Sequence, residues 1–210
     1  MWRRQRGTAA VLPGRTIRLP RWLAAAGRRA GSDRGAAAVE FAMVAPVLVI
    51  LAMGVIDFAS VYNNWSGMRQ GVWAGARAGS VANFGTGVSC PLTFTGGGSA
   101  PSADLQSLMC VTKNQVGLSQ SSVRIDILIS DPTLQTPGAS WQMGGGLTVC
   151  AEAPVTSATG ALGTALSGHY LRSKTTIRIE QASPNIETQG YEADSSGGGW
   201  AWCTAQNPSS

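Results

Sequence analysis

From Phe41 to Ile56 the chain runs for sixteen residues without a charged side chain. A helix over that run, at ~1.5 Å of rise per residue, is about 24 Å long. Adding Ala36–Val39 and Phe58–Val61 gives 26 residues in all. Such a helix, roughly 39 Å long, crosses a ~30 Å hydrocarbon layer with some tilt. Nothing else in the 210 residues limits the fold as strongly. Pro46 would break a soluble helix, but membrane helices accept such a residue where neighbouring groups satisfy the freed carbonyl. A buried helix of a soluble domain is the competing reading, and the arginines that precede the run argue against it.

Those arginines also account for the basic character of the chain. Residues 1–35 hold nine Arg and one acid, Asp33, for a net charge of +8, whereas the rest of the chain is at −3. With no basic patch outside this leader, the chain has nothing to grip phosphates and nucleic acid is not an expected partner. The leader is rich in Arg, Gly and Ala, is interrupted by Pro13 and Pro20, and has no apolar core of secretory-signal length. An excess of Arg beside an apolar span keeps that flank in the cytoplasm. The expectation is a cell-membrane, single-pass protein with its N-terminus cytoplasmic and its C-terminal part extracytoplasmic. The segments are a leader over 1–35, a transmembrane helix over 36–61, a helical stalk over 62–80 and an exposed domain over 81–210.

Glu40 is the acid in the first turns of the apolar helix, and an ionised carboxylate costs ~2.5 kcal/mol or more at mid-membrane. In the intact chain it could face cytoplasmic water near Arg34. If the chain is cut between Gly35 and Ala36, a free ammonium forms at Ala36, and Glu40 becomes the fifth residue, one helical turn away. It could then neutralise that amine, in its own chain or in a neighbour within the bilayer.

The stretch Arg34-Gly35-Ala36-Ala37-Ala38-Val39-Glu40-Phe41-Ala42, with Val44-Ala45-Pro46 after it, resembles the class III signal cut by prepilin peptidases. More narrowly, it resembles the TadE-like pseudopilins of tight-adherence (Flp) pilus assembly systems. Gly54-Val55-Ile56-Asp57-Phe58 continues the likeness, with an acid, often Glu, expected at the Asp57 position. The likeness covers about residues 34–80 and fades beyond, and the 35-residue leader is long for the class. The resemblance implies a precursor processed at Gly35-Ala36, with Glu40 and Phe41 acting in assembly. It also implies a prepilin peptidase, other pilins or pseudopilins, inner-membrane pilus assembly proteins and the lipid bilayer as partners.

Past the span, Gly67, Gly71, Gly75 and Gly79 recur every fourth residue. On a helix they form one bare stripe, and each costs ~0.8–1 kcal/mol relative to Ala. A stripe of this kind lets another backbone approach closely. It would pack against a neighbouring subunit or against the chain's own domain; the plain alternative is a poor helix or loop.

Residues 81–210 are divided by Gly96-Gly97-Gly98, Gly144-Gly145-Gly146 and Gly197-Gly198-Gly199. Period-two alternation predicts half-buried strands over 123–129, 147–153 and 175–180. Val123, Ile125, Ile127 and Ile129 lie on one face of the first. Ser102–Val116 reads as a helix with Ser102 as N-cap, Leu105, Leu108 and Met109 on its buried face, and Gly117 as its stop. The expected fold is α+β, with a small antiparallel sheet and one packed helix following the membrane and stalk helix. So thin a core gains from disulfides. All four cysteines, Cys90, Cys110, Cys150 and Cys203, lie beyond the apolar span, as a disulfide framework in an oxidising compartment requires. Of the three pairings open to them, sequence proximity favours Cys90–Cys110 with Cys150–Cys203. No two are close enough for the usual short zinc spacing, so no metal and no cofactor is expected.

Catalysis has little support. His169 beside Ser167 suggests a nucleophile and base, but near-adjacent residues rarely supply that geometry and no nucleophile elbow is present. The acids are dispersed, and Trp141, Trp200 and Trp202 read as packing residues. No enzyme is expected. The resemblance, coinciding with the basic leader and the span, implies a structural pseudopilin; the alternative is an uncleaved single-pass signal-anchor protein with an extracytoplasmic ligand-binding domain, and an exported hydrolase using His169 is a third reading.

Overall fold

A long apolar run with strong helix formers becomes the first part of a 51-residue helix, α1 (Ala30–Ser80), with Pro46 inside it. The computed structural model describes residues 30–85, 87–94, 101–131, 133, 138–183 and 189–204, with side chains from Gly35 onward. The leader up to residue 29 and the Gly96-Gly97-Gly98 loop lie outside the described residues. Helix α1 begins six residues before Ala36, where the membrane helix was expected to start.

The chain divides into two units, Met1–Val49 and Ile50–Ser210. In the first, the α1 side chains from Gly35 to Val49 are exposed, with only Ala45 partly covered. An 18-residue window of the helix reaches a mean hydropathy of 2.5 with none of it buried. Among the described residues one helix is therefore long and apolar enough to cross a membrane, and its apolar window is uncovered by the protein.

In the second unit the remainder of α1 becomes part of a core. Met68, Val72 and Ala76, spaced by four, are fully buried, which is the single stripe an amphipathic helix turns inward. Against this stripe lies α2 (Ala103–Val116), and the pair covers one face of a four-stranded sheet. The strands are β1 (Arg124–Ser130) and β2 (Gly146–Pro154), then β3 (Tyr170–Arg178) and β4 (Gln189–Tyr191). All neighbours are antiparallel, in the order β3-β2-β1-β4. Short helices α3 (Gly163–Leu166) and α4 (Ala201–Thr204) complete the described elements. The fold is α+β.

Ile125, Ile127 and Ile129 of β1 and Leu147, Val149 and Ala151 of β2 meet Leu105, Leu108 and Met109 of α2 in the main core. Burying each large aliphatic side chain contributes about 1.5–3 kcal/mol. Helix α2 stops at Gly117, whose φ of 74° lies in the left-handed region. Ser102 stands at the N-cap position but makes no side-chain capping bond, and its buried hydroxyl has no partner. The Ser102 carbonyl instead accepts from the Gln106 N–H at 2.9 Å.

Two strand expectations need correction. Strands β1 and β2 are buried on both faces, not half-buried, since Asp126, Leu128 and Cys150 on the outer face are also covered. The C-terminal segment lies over that face, where Leu128, Cys150, Trp200 and Cys203 form a second small core. The third strand begins at Tyr170 and ends at Arg178, so Glu180 lies beyond it. The disulfides join Cys90 to Cys110 and Cys150 to Cys203. The first fastens the loop after α1 to α2, and the second ties the covering segment to β2.

Candidate functional site: the exposed apolar helix and the clasp at Asp57

Gly35, Ala36, Glu40 and Phe41 all lie in α1 and are exposed, Phe41 at 67 %. Among the described residues no ion pair includes Glu40. Beyond them Val47, Leu48 and Ile50 are exposed, then Leu51, Val55, Ile56 and Phe58. An apolar surface of this extent in water would be an aggregation site or an interface.

Asp57 interrupts it, and it is fully buried. Its Oδ1 accepts the Thr159 backbone N–H at 2.8 Å. Its Oδ2 accepts Ser157 Oγ at 2.7 Å, Thr159 Oγ1 at 2.9 Å and, more weakly, the Leu162 N–H at 3.4 Å. One carboxylate thus holds the whole turn between β2 and α3 against α1. At the other end of α1 the Ser80 carbonyl accepts the Glu180 and Gln181 N–H groups at 2.8 and 3.1 Å. Between these points α1 rises about 35 Å, close to the roughly 30 Å of a nine-residue strand such as β3. The hairpin of β2 and β3 therefore runs the length of the emerging helix and is fastened at both ends. Sequence reading took Asp57 only as part of the family likeness and missed the clasp. The available signal was the hydroxyl-rich turn Ser157-Ala158-Thr159-Gly160, which holds no acid of its own.

The four glycines of the stripe face the chain's own elements. A Cβ on Gly67 would come 2.8 Å from the Val116 carbonyl oxygen, and one on Gly71 within 2.6 Å of Val116 backbone atoms. At Gly75 it would collide with the Thr112 side chain, and at Gly79 it would approach Leu108 Cδ2 to 2.8 Å. Gly67 and Gly71 thus let α1 and α2 touch almost backbone to backbone, while Gly75 and Gly79 make room for the side chains of Thr112, Leu108 and Leu147. The opposite face carries Tyr62, Trp65, Arg69, Trp73 and Arg77, with Arg69 4.9 Å over the Trp65 ring and Arg77 5.5 Å over Trp73. It borders an open groove of ≈ 610 Å³ that Gln115 and Thr175 also line.

Lys113 and Glu192, both fully buried, pair at 2.8 Å. Glu192 also accepts the Thr93 and Ile125 N–H groups at 2.9 and 3.0 Å, while Lys113 donates to the Pro91 carbonyl at 2.7 Å. Burial pulls the Lys113 pKa down, against the opposing pull of Glu192. The pair thus joins the loop after α1, α2 and the sheet. The remaining sequence-nominated residues are not gathered into one site. Ser167 Oγ donates to the Thr164 carbonyl at 2.7 Å, not to His169, which is exposed. Trp141 Nε1 donates to Gln181 O and Trp200 Nε1 to Glu192 O, at 2.9 and 2.8 Å, and both rings are packed. Trp202 lies under Arg172 at 5.3 Å. Among the described residues no group of His, Cys, Asp or Glu is arranged to hold a metal.

An exposed apolar helix that emerges as the spine of a small α+β domain defines a single-span, membrane-associated protein. A family model described as TadE-like protein matches residues 35–77. That match covers the apolar helix, Asp57 and three of the four stripe glycines, and it agrees with the resemblance carried by Gly35 to Pro46. No curated protein and no solved structure matches the chain.

Proposed function

We propose that the protein is a TadE-like minor pseudopilin that acts structurally in a tight-adherence pilus or secretion assembly. The observation that carries this reading is the TadE-like match over residues 35–77, coincident with a helix whose apolar surface is left bare. A prepilin peptidase cuts between Gly35 and Ala36 on the cytoplasmic side, and the domain beyond Asp57 stands outside the membrane. The helix then joins those of other pilins or pseudopilins laterally. Glu40 pairs with the new Ala36 ammonium of a neighbour, because two opposite charges in hydrocarbon cost far less together than apart. The pairing fixes the axial register between helices.

N-terminal sequencing of the protein extracted from membranes of cells that hold the peptidase tests the cut. A mature chain starting at Ala36 is expected, and an intact Met1 would overturn it in favour of an uncleaved signal anchor. Glu40→Ala should leave the chain inserted but stop its assembly. Normal assembly of that variant would remove Glu40 from the mechanism.

A further inference from the structure

We infer that the connection between β2 and β3 is a lipid-contact element: its tip around Leu162 lies in the interfacial layer of the bilayer, at a depth set by Asp57. The inference rests on the membrane reading of α1 and adds a second point at which the domain meets lipid.

Three observations carry it. The first is position. The turn is bonded to Asp57 through Ser157, Thr159 and Leu162. The residues just before Asp57 are the exposed Val55 and Ile56, at 69 % and 54 %. If lipid covers those side chains, the turn one helical step away cannot stand clear of the membrane surface.

The second is composition. From Val155 to Gly168 there is no ionisable side chain, while Ala158, Ala161, Leu162 and Ala165 are exposed. The exposed His169 closes the connection, and formal charges begin again with Glu152 on one strand and Arg172 on the other, which pair with each other at 2.9 Å. A hairpin tip in water has no reason to avoid charge, whereas one in the interface does.

The third is the backbone. The Thr159 and Leu162 N–H groups go to Asp57, Gly160 to Ser157 Oγ and Ala161 to Thr159 Oγ1. Gly163, Leu166, Ser167 and His169 donate to carbonyls within the same connection. An exposed loop in water leaves many such donors to solvent. These eight of the connection's fifteen N–H groups are satisfied internally, which lowers the cost of a segment short of water. With no Lys or Arg between Val155 and Tyr170, the tip recognises the neutral glycerol and upper acyl region of phospholipid, not a charged headgroup.

The test is fluorescence from a polarity-sensitive dye on a single added thiol. All native cysteines are in disulfides, so the label is site-specific. Leu162→Cys, Ile50→Cys and Met143→Cys are each made in the full chain and reconstituted in phosphatidylcholine vesicles. Met143, 67 % exposed, adjoins the far end of the sheet. The Leu162 dye should be quenched by aqueous iodide several-fold less than the Met143 dye, and quenched well by nitroxide-labelled lipid. A shielded Ile50 with a Leu162 as accessible as Met143 would overturn the inference and leave the membrane span intact. An accessible Ile50 would overturn both. Adding Asp57→Ala should move the Leu162 dye toward the Met143 value without moving Ile50; an unmoved Leu162 dye would show that Asp57 does not set the depth.

Discussion

The Asp57 carboxylate accepts the Thr159 backbone N–H at 2.8 Å across 102 residues of sequence. A helix residue thereby organises the tip of a distant hairpin. Removing the carboxylate frees two amides and two hydroxyls at once. In Asp57→Ala, exchange at the Thr159 and Leu162 amides should speed up by roughly tenfold or more, while β1 amides keep their protection. Hydrogen exchange read by mass spectrometry decides this, and unchanged Thr159 protection would show that the turn holds itself.

Gly71 allows no side chain. Alanine gains about 1 kcal/mol of helix propensity, but its Cβ would meet Val116 N and Cα at 2.6 Å. Backbone atoms cannot yield as a side-chain tip can, so a net loss of about 1–3 kcal/mol is expected for Gly71→Ala. Gly54→Ala, with nothing within 4 Å of the new atom, serves as the control. Thermal unfolding of the two variants should separate them by several degrees.

Glu192 cannot be removed alone. Glu192→Ala leaves the Lys113 ammonium buried without its counter-charge and should cost about 3–5 kcal/mol. Replacing both partners, Lys113→Met with Glu192→Leu, should recover much of that loss. Urea titration of the single and double variants gives the comparison.

Asp126 gives the domain a pH dependence. Its side chain is fully buried, Oδ2 has no partner, and Oδ1 meets Gln189 Nε2 at a long 3.4 Å. Burial raises its pKa from 3.8 to about 7, against weaker lowering by Gln189 and the Ile127 N–H. The folded state then holds a proton that the unfolded state releases, so this group's contribution falls as pH rises from about 4 to about 7. The loss is of the order of 4 kcal/mol at most. Asp126→Asn should flatten the stability profile over that window; an unchanged slope would assign the pH dependence to another group.

The two disulfides close loops of different size, with separations of 20 and 53 residues. Chain entropy assigns about 3 kcal/mol to the first and about 4 kcal/mol to the second. Cys150→Ala with Cys203→Ala should also uncover Leu128 and Trp200, so it should be the more damaging pair. Tryptophan fluorescence during denaturation would report both effects.

What the sequence made legible was whatever repeats locally. Alternation placed Ile125, Ile127 and Ile129 on one face, and the helix and its Gly117 stop could be read from pattern and cap. Periodicity reports one face at a time, so it made β1 half-buried and could not foresee Trp200 and Cys203 closing over Leu128 and Cys150. Strand β4 is three residues long, too short for any period. Asp57 with Thr159 and Lys113 with Glu192 join residues 102 and 79 apart. No single stretch carries both halves of such a pair.

The glycine stripe has a further consequence. Because Val116, Thr112 and Leu108 already fill it, the emerging part of α1 is not a round rod that neighbours may approach from any side. It is a keyed shaft, with its key seated in its own domain. The side left open carries Tyr62, Arg69 and Trp73, so a second helix meeting this part of α1 would find one side of it already taken.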